Sequence, residues 1–461
     1  MTKLFGTDGT RGIAVTDLNC ELAMQTARAA AAVLASGEER HTRIIVGKDT
    51  RLSSNPLEDA VIAGIRSVGA DAELLGVVPV PAVAYMVKQH NADGGIMISG
   101  SQNNPASNGI KIFNSLGQKL SDEQEETIER LVLEAPGFIP LAPHDDAGRI
   151  SYYKQAADDY VEHIKEIAEC SLKGMKIALD CANGCASETA EKLFSAMGAE
   201  VFVMANTPDG SNINKDCGAG NIEPLIEFLT QNNCDCGFAF DGDADRCIAV
   251  DEKGGILDGD KLLAVFAEYF KRYGMLKNNT AVITIMTNMG LNKFAESKGF
   301  YLVRAGAGHR YVLERMLEGG YNLGGEPSGH IVFLDDSTTG DGQLTALKLL
   351  KIMKTEKKKL SELASDMVIF PQVMLNIKIE PQHRERWKNY REITEMIEKY
   401  AAELGSSGRI VVRESGTEDV IRVMTEGSDF SRINEMAFDI AQCIKKYVST
   451  EQQRSSKFEN S

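Results

Sequence analysis

The chain has 461 residues, which is too long for one hydrophobic core and predicts about three or four domains. Its hydrophobic and charged fractions, 43% and 25%, are ordinary for a globular protein. The net charge of −16 argues against non-specific binding of nucleic acid, although a locally basic site could still bind a small anionic substrate.

The N-terminal segment MTKLFGTDGTRG lacks the apolar stretch of a secretory signal, and no apolar run is long enough to cross a membrane. The nine cysteines are odd in number and lack the paired spacing of a zinc site. These features predict a cytoplasmic protein with reduced thiols and no membrane partner.

A helical stretch followed by a glycine and a β-rich run occurs three times, in IRSVGADAELLG, LFSAMGAEVFVMA and FAESKGFYLVRAG. Gly69, Gly198 and Gly299 fit the left-handed residue that closes a helix before a strand. Apolar strands that alternate with amphipathic helices indicate βαβ units and mostly parallel sheets. The recurrence predicts three similar α/β domains with mixed, mostly parallel sheets.

Further signals mark the ends of these domains. Ser121 and Gln124 in SDEQ predict a capping box at the start of the helix that closes the first domain. The polar stretch around 141–151 is a predicted linker, and from about Val368 short strands and two helices indicate a fourth, α+β domain. The predicted domains are 1–150, 151–255, 256–366 and 367–449, and the polar residues 450–461 are predicted to form a disordered tail.

The first candidate loop lies in GIMISGSQNNPASNGIKIF, residues 95–113. A buried strand gives way to small polar residues, and the chain becomes apolar again at IKIF. Loops of this kind present side chains on a rigid scaffold, here Ser101 and Lys111. A plain turn between two strands is the alternative.

The second candidate loop is FAFDGDADRCIAVD, where Asp241, Asp243 and Asp245 alternate with glycine and alanine after a strand. Carboxylates so spaced can converge on one hard cation, and Mg²⁺ is the predicted ion. A calcium loop is excluded because Arg246 stands at its sixth position, and a phosphatase motif fails at Asp245. A solvated acidic turn is the alternative.

The third candidate loop is GGEPSGHIVF. The carboxylate of Glu326 and the hydroxyl of Ser328 could bind neighbouring sugar hydroxyls, and His330 could move a proton near pH 7. A glycine-rich turn is the alternative.

The fourth candidate loop is VVRESGTEDVIR. Its small residues Ser415, Gly416 and Thr417 are bracketed by Arg413 and Arg422, which suits a phosphate dianion. A surface turn is the alternative.

Cations in glycine- or serine-flanked loops recur along this acidic chain, as an anionic substrate would require. They are Arg11, Lys48, Arg51, Lys111, Arg246, Arg413 and Arg422. A lysine crowded by other cations is expected to have a lowered pKa, which would suit Lys111 as a general base.

Together the four loops resemble those of the α-D-phosphohexomutase family over residues 4–447. The family motifs SASHNP with NGIK, DGDxDR, GExSGH and RxSGTEP stand here as SGSQNNP with NGIK, DGDADR, GEPSGH and RESGTED, in the same order. PVPAV, DCANG, ILDGDKLL and TTGDGQLTAL agree as well. The resemblance implies four domains around a central cleft, with one catalytic loop from each, and an isomerase of hexose phosphates.

The resemblance also implies the chemistry. Ser101 would carry a phosphoryl group, donate it to a hexose phosphate and recover it from a bisphosphorylated intermediate. The phosphorylated Ser101 would complete the Mg²⁺ site of the three aspartates, and Arg11 and Lys111 would stabilise the transferring group. His309 and His330 would assist proton transfer. The implied substrate-binding residues are Glu326, Ser328, Arg246, Arg413, Ser415, Gly416, Thr417 and Arg422.

The chain departs from the family pattern at several positions. Gln102 replaces a histidine, Asn104 displaces a proline, and Asp419 replaces the last proline of the phosphate loop. FGTDGTRG and GGEPSGHIVFLDDSTTGDG are most similar to the branch that isomerises glucosamine phosphates, which is the predicted activity. His309 instead resembles the branch that acts on mannose or glucose phosphates, which is the alternative.

Two alternatives belong to other classes, a catalytically weak paralogue that binds phosphosugars and a phosphatase. The expected partner is a small hexose phosphate, with no nucleic acid and no membrane, and a homodimer remains open.

Overall fold

The computed structural model describes residues 4–6, 8–35, 41–139, 141–379, 386–414 and 420–458, with side chains described as far as residue 447. The chain divides into a larger unit, Met1–Thr287 with Ala295–Asp366, and a smaller unit, Asn288–Phe294 with Met367–Ser461. In the described residues, no helix has both the length and the apolar character that a membrane span requires.

The first sheet of the larger unit has the strand order β1-β5-β4-β2-β3-β6. Its strands are β1 (Thr10–Ile13), β2 (Arg43–Lys48), β3 (Asp71–Val77), β4 (Gly94–Ile98), β5 (Ser107–Asn114) and β6 (Ile150–Tyr152). Its helices are α1 (Cys20–Leu34), α2 (Ser54–Arg66), α3 (Val80–Gln89) and α4 (Asp122–Leu133). The apolar side chains of β2 and β4 are fully buried because helices cover both faces of the sheet. β6 straddles the predicted boundary at residue 150 and pairs in parallel with β3.

The second sheet has the order β11-β10-β9-β7-β8. Its strands are β7 (Lys176–Asp180), β8 (Glu200–Met204), β9 (Cys236–Phe240), β10 (Cys247–Asp251) and β11 (Ile256–Leu257). The helices of this segment are α5 (Ala156–Ala168), α6 (Ala186–Ala196) and α7 (Glu223–Gln231). β7 pairs in parallel with β8 and β9, whereas β10 is antiparallel to β9 and β11.

The third sheet has the order β13-β12-β14-β15. Its strands are β12 (Thr280–Thr284), β13 (Tyr301–Ala305), β14 (Leu323–Gly325) and β15 (Ile331–Phe333). The helices in this part of the chain are α8 (Gly259–Arg272), α9 (Met289–Lys298), α10 (His309–Gly319), α11 (Gly342–Glu356) and α12 (Leu360–Leu363). β12 is parallel to β13 and β14, and β15 is antiparallel to β14.

The smaller unit contains an antiparallel sheet of order β16-β18-β17. It consists of β16 (Gln372–Lys378), β17 (Gly408–Glu414) and β18 (Val420–Gly427), with helices α13 (Arg391–Leu404) and α14 (Phe430–Phe458). Buried side chains of β18 and α14, among them Ile421, Val423, Met436 and Ile440, form its core. Three mixed, mostly parallel sheets and an antiparallel α+β part confirm the predicted fold class.

Several local predictions can be compared directly with the structure. Gly69, Gly198 and Gly299 have φ angles of 79°, 93° and 72°, so the left-handed helix ends are confirmed. Ser121 and Gln124 form the predicted capping box at the start of α4. The structure differs at the C-terminus, where α14 continues through residues 450–458 in place of the predicted disordered tail. Glutamate, glutamine, arginine and lysine in that stretch favour helix in spite of their polarity.

The loops singled out from the sequence follow buried strands of the larger unit. The Ser101 loop follows the carboxyl end of β4, the aspartate loop follows β9, and the Glu326 loop follows β14. In α/β sheets the carboxyl ends of strands are where ligands bind. The fold therefore presents these three polar loops at the edges where chemistry is expected.

Candidate functional site

Ser101 lies in the loop that joins β4 to the antiparallel strand β5. Its φ angle is 49°, in the left-handed region that residues other than glycine rarely adopt. Ser101 is fully buried, and its Oγ donates a hydrogen bond to Oδ2 of Asp241 at 2.6 Å. Its amide donates to Oγ of Ser99 at 2.8 Å. The candidate nucleophile is therefore fixed both by its own loop and by the aspartate loop.

Two side chains hold the backbone of the Ser101 loop. Nη2 of Arg51 donates to the carbonyl oxygen of Asn103 at 2.5 Å and lies 3.3 Å from that of Ser101. Nδ2 of Asn214, between β8 and α7, contacts the same two oxygens at 2.9 and 2.7 Å. Arg51 is itself buried and paired with Asp49. A left-handed residue other than glycine costs about 1–3 kcal/mol, and these contacts offset that cost.

Asp241, Asp243 and Asp245 lie in the turn between the antiparallel strands β9 and β10. All three are buried, and one oxygen from each lies within 4.8 Å of the others. Oδ1 of Asp243 and Oδ1 of Asp245 are buried without a hydrogen-bond partner. Buried carboxylate oxygens are costly unless a cation or a proton accompanies them. The three residues therefore fit a hard metal ion with oxygen ligands.

Gly242 allows the aspartate loop to approach the Ser101 loop. A Cβ at Gly242 would lie 2.6 Å from the carbonyl oxygen of Ser101, so a larger residue would push the two loops apart. Burial raises the pKa of Asp241, and the charges of Asp245 and Asp243 raise it further. A bound cation would relieve this repulsion between carboxylates.

Lys111 lies on β5 and faces carboxylates. Its Nζ is 2.7 Å from Oδ2 of Asp245, 2.9 Å from Oδ2 of Asp243 and 3.3 Å from Oδ2 of Asp8. Burial favours a lower pKa for Lys111, but the attraction of these carboxylates outweighs it and raises the pKa above its ordinary value. The expectation of a lowered pKa is wrong, because the nearest charged neighbours are anions.

Asp8, which the sequence did not single out, contacts basic side chains from several elements. Its Oδ2 accepts a hydrogen bond from the guanidinium of Arg11 and lies 3.3 Å from Nζ of Lys111. Its Oδ1 lies 3.2 Å from Nε2 of His309, the first residue of α10. Arg11 also donates to the carbonyl oxygen of Gly100 at 3.0 Å, directly before Ser101. The structure thus brings Arg11 to the Ser101 loop.

His309 and His330 lie side by side, with 4.7 Å between the ring centroids. His330 is buried, and its Nε2 is 4.0 Å from Oδ2 of Asp245. Burial lowers the pKa of His309 well below its ordinary value, although Asp8 opposes the shift, so the ring is neutral at pH 7. Both histidines line a pocket together with Asp8 and Lys111.

Arg246 directly follows the three aspartates. Its Nη1 donates to Oε1 of Gln102 at 2.6 Å, and its Nε lies 3.6 Å from Oδ1 of Asp245. Gln102, which stands where the family has histidine, therefore acts here as an acceptor for Arg246. A glutamine amide cannot carry a proton, so proton transfer requires another group.

The loop between β14 and β15 packs against the end of the aspartate loop. The amide of Cys247 donates to the carbonyl oxygen of Gly329 at 3.0 Å. A Cβ at Gly329 would lie 2.2 Å from the carbonyl oxygen of Cys247, so the contact requires glycine. Glu326 and Ser328 in this loop are half-buried. The predicted sugar-binding loop and the metal-binding loop are therefore neighbours.

The predicted phosphate loop belongs to the smaller unit. Arg413 on β17 and Arg422 on β18 lie opposite each other in the antiparallel pair. Ser415, Gly416 and Thr417, together with Asp419, lie outside the described residues. Lys48, another candidate cation, is in the larger unit, where its Nζ is paired with Glu58 at 2.6 Å.

Family models match almost the whole chain. The phosphoglucomutase/phosphomannomutase alpha/beta/alpha domains I, II and III match residues 2–136, 158–255 and 258–369, and the C-terminal domain matches residues 374–442. The chain belongs to the phosphoglucomutase/phosphomannomutase family. The predictions of an α-D-phosphohexomutase and of an isomerase are confirmed by this membership together with the relatives below.

A phosphoglucosamine mutase of Clostridium beijerinckii is 47% identical to this phosphohexomutase over 446 residues, covering 97% of this chain and 99% of the relative. A family protein of Burkholderia thailandensis has a similar crystal structure, with a TM-score of 0.80 at 24% identity, covering 97% of this chain and 98% of that one. The Aspergillus fumigatus N-acetylphosphoglucosamine mutase, solved with GlcNAc-6P and magnesium, has a TM-score of 0.67 at 16% identity, covering 96% of each chain. The two solved structures establish similarity of fold.

Proposed function

We propose that the chain acts as a phosphoglucosamine mutase, which interconverts glucosamine-6-phosphate and glucosamine-1-phosphate. The observation that carries the phosphoryl-transfer chemistry is the hydrogen bond from Oγ of Ser101 to Asp241, inside a buried group of three carboxylates. A hydroxyl held beside a metal site is suited to accept and return a phosphoryl group. The choice of glucosamine phosphate rests on the 47% identity to a phosphoglucosamine mutase over nearly the whole chain.

We assign Mg²⁺ as the ion of Asp241, Asp243 and Asp245. The buried oxygens without hydrogen-bond partners support this assignment, because Mg²⁺ prefers a few carboxylates plus a phosphoryl oxygen. When bound, Mg²⁺ would neutralise negative charge on a phosphoryl group carried by Ser101.

The protein's own cations also favour transfer at Ser101. Arg11 lies against Gly100 in the serine loop, and Lys111 lies beside Asp245 in the aspartate loop that Ser101 contacts, so both place positive charge near the site of transfer. Charge that develops on the phosphoryl oxygens in the transition state would be stabilised by these groups. The raised pKa of Lys111 favours this electrostatic role over that of a general base.

Proton transfer is assigned to the two histidines. The sugar hydroxyl that attacks the phosphoryl group must lose its proton, and a neutral imidazole can accept it. His309 is neutral at pH 7 because burial lowers its pKa, and its ring lies next to His330. Both rings face the pocket that contains Lys111.

The remaining assignments concern the substrate. Glu326 and Ser328 would bind ring hydroxyls, and Arg246 would bind a phosphate from its place beside Gln102. The phosphate that does not react would be held by the loop of the C-terminal domain, through Arg413, Ser415, Gly416, Thr417 and Arg422.

A coupled assay with three hexose phosphates tests the proposal. A charge-assisted contact to the ammonium of glucosamine adds about 1.5–3 kcal/mol, so kcat/KM should favour glucosamine-6-phosphate over glucose-6-phosphate and mannose-6-phosphate by at least about tenfold. Equal or better kcat/KM with the other two sugars would assign the chain to the mannose and glucose branch. Net release of inorganic phosphate would identify a phosphatase instead.

A further inference from the structure

Asp8 connects three parts of the larger unit through a single carboxylate. Oδ2 contacts Arg11 on β1 and lies 3.3 Å from Nζ of Lys111 on β5, while Oδ1 lies 3.2 Å from Nε2 of His309 on α10. Only 13% of the Asp8 side chain is exposed. Such burial is costly for an ionised carboxylate, and the surrounding cations offset the cost.

The three contacts of Asp8 differ in what they contribute. Lys111 has two other carboxylates, Asp243 and Asp245, at shorter distances, so its charge does not depend on Asp8. Arg11 is ion-paired with Asp8, and Nε2 of the neutral His309 lies within hydrogen-bond distance of its Oδ1. The orientation of these two side chains therefore depends most on Asp8.

Arg11 and His309, the two side chains that Asp8 holds, have different tasks in the proposed reaction. Arg11 donates to the carbonyl oxygen of Gly100, beside Ser101, whereas His309, the first residue of α10, lines the pocket that also contains Asp8 and Lys111. We infer that Asp8 is a positioning residue that holds Arg11 against the Ser101 loop and fixes the orientation of His309 in the pocket. The inference rests on the proposed function. Asp8 acts through its partners, with no contact of its own to the substrate.

The substitution Asp8→Asn tests this inference, with Asp17→Asn as the matched control. Asp17 lies in the same N-terminal segment but is exposed, and its Oδ2 accepts from the amide of Ile13 at 3.1 Å. Misplacement of reacting groups by about 1 Å can cost about 100-fold in rate, so we expect Asp8→Asn to lower kcat about 10- to 100-fold. KM should not rise, and Asp17→Asn should match the wild type.

The split between kcat and KM separates positioning from simple electrostatics. If Asp8 only set the charge of the pocket, its removal would favour anionic substrates, so KM would fall and kcat would stay unchanged. That result would overturn the inference. A loss confined to glucosamine-6-phosphate and absent with glucose-6-phosphate would also overturn it, because Asp8 would then contact the substrate ammonium.

Two further measurements keep the test decisive. The ¹⁵N chemical shifts of the His309 ring should show one fixed tautomer in the wild type and a mixture of tautomers in Asp8→Asn. Unchanged shifts would contradict the inference. This readout does not depend on activity, so it holds even if the wild type proved inactive on every hexose phosphate. Should Asp8→Asn fail to fold, Asp8→Glu retains the charge and displaces the carboxylate by one methylene. It should lower kcat about tenfold, and full activity would contradict a positional role.

Discussion

The ammonium of Lys111 lies 2.7 Å from Oδ2 of Asp245, so a cation from the first sheet is paired with the carboxylate loop of the second. This pair joins the candidate nucleophile's hairpin to the candidate metal site. It also fixes the charge state of Lys111, because neighbouring carboxylates raise its pKa in spite of its burial. Lys111 is therefore positively charged at neutral pH.

The substitution Lys111→Met should lower kcat by about 100-fold or more, the cost of removing one preorganised group that stabilises transition-state charge. It should also tighten Mg²⁺ binding, because Asp243 and Asp245 lose an internal counter-ion. Steady-state kinetics and a metal titration check both effects. Lys176→Met, which removes an exposed lysine paired with Glu200, is the control. Weaker metal binding in Lys111→Met would contradict this account.

The pH dependence should show no ionisation of Lys111 between pH 7 and pH 9. A lysine whose folded pKa is raised contributes its full stability below the unfolded value of about 10.4, and loses it only as pH rises further toward the folded value. The Lys111→Met profile should therefore keep every limb of the wild-type profile, although loss of the Lys111 charge raises the apparent pKa of His309. If the wild-type pH–rate profile has a limb at pH 7–9 that disappears in Lys111→Met, Lys111 would be identified as the general base.

Removal of the metal should abolish activity, and Mg²⁺ should restore it better than Ca²⁺, because the larger ion loosens the geometry around the phosphoryl group. A readout that does not depend on activity is the thermal unfolding midpoint. Mg²⁺ should raise it in the wild type and much less in Asp243→Asn, since ligands stabilise the state that binds them. Full activity after exhaustive EDTA treatment and desalting would contradict the aspartate site.

The contacts of Asn214 with the Ser101 loop predict a selective effect on turnover. Asn214→Ala removes two hydrogen bonds that hold the left-handed serine, so kcat should fall about tenfold with little change in KM. Asn232→Ala is the control, because Asn232 also donates to a backbone oxygen, that of Phe228, but lies away from the loop. Equal kinetics in the two variants would show that Asn214 does not position Ser101.

A buried ion pair joins α4 of the first sheet to α10 of the third. Nη1 of Arg310 lies 3.0 Å from Oε2 of Glu125, and both side chains are 7% exposed. Arg310→Met should lower the free energy of unfolding by about 3 kcal/mol, because the buried carboxylate of Glu125 keeps only the longer contact, 3.4 Å, to Nζ of Lys119 among the ion pairs described here. Denaturant unfolding measures this. Arg315→Met on the same helix, where the pair with Glu318 is exposed, should change stability by less than about 0.5 kcal/mol.

The features that could be predicted from the sequence, the helix ends and the loops that carry reactive groups, depend on the local pattern of residues. Gly69, Gly198 and Gly299 ended helices as expected, because glycine adopts a left-handed conformation at little cost. The hydroxyl of Ser101 and the carboxylate of Asp241 stood in loops whose composition indicated chemistry, and the structure brings them within hydrogen-bond distance.

The sequence did not predict what depends on distant partners. Asp8 meets His309, about three hundred positions along the chain, and Asn214 reaches the Ser101 loop from another sheet. No local spacing encodes such contacts. The pKa shift of Lys111 was predicted with the wrong sign, since the sequence shows which charges exist but not which of them lie within 3 Å.

The central claim is that Ser101 relays a phosphoryl group between two positions of glucosamine. The most direct measurement follows glucosamine-6-phosphate by ³¹P NMR in the presence of Mg²⁺, with wild type, Ser101→Ala and, as a control, the exposed Ser115→Ala. We predict that glucosamine-1-phosphate appears with the wild type and with Ser115→Ala. Ser101→Ala should fold normally but form glucosamine-1-phosphate more slowly by several orders of magnitude, because a covalent relay has no substitute. A Ser101→Ala variant that retains about a tenth of the wild-type rate would contradict the claim, since removal of an obligatory nucleophile costs far more.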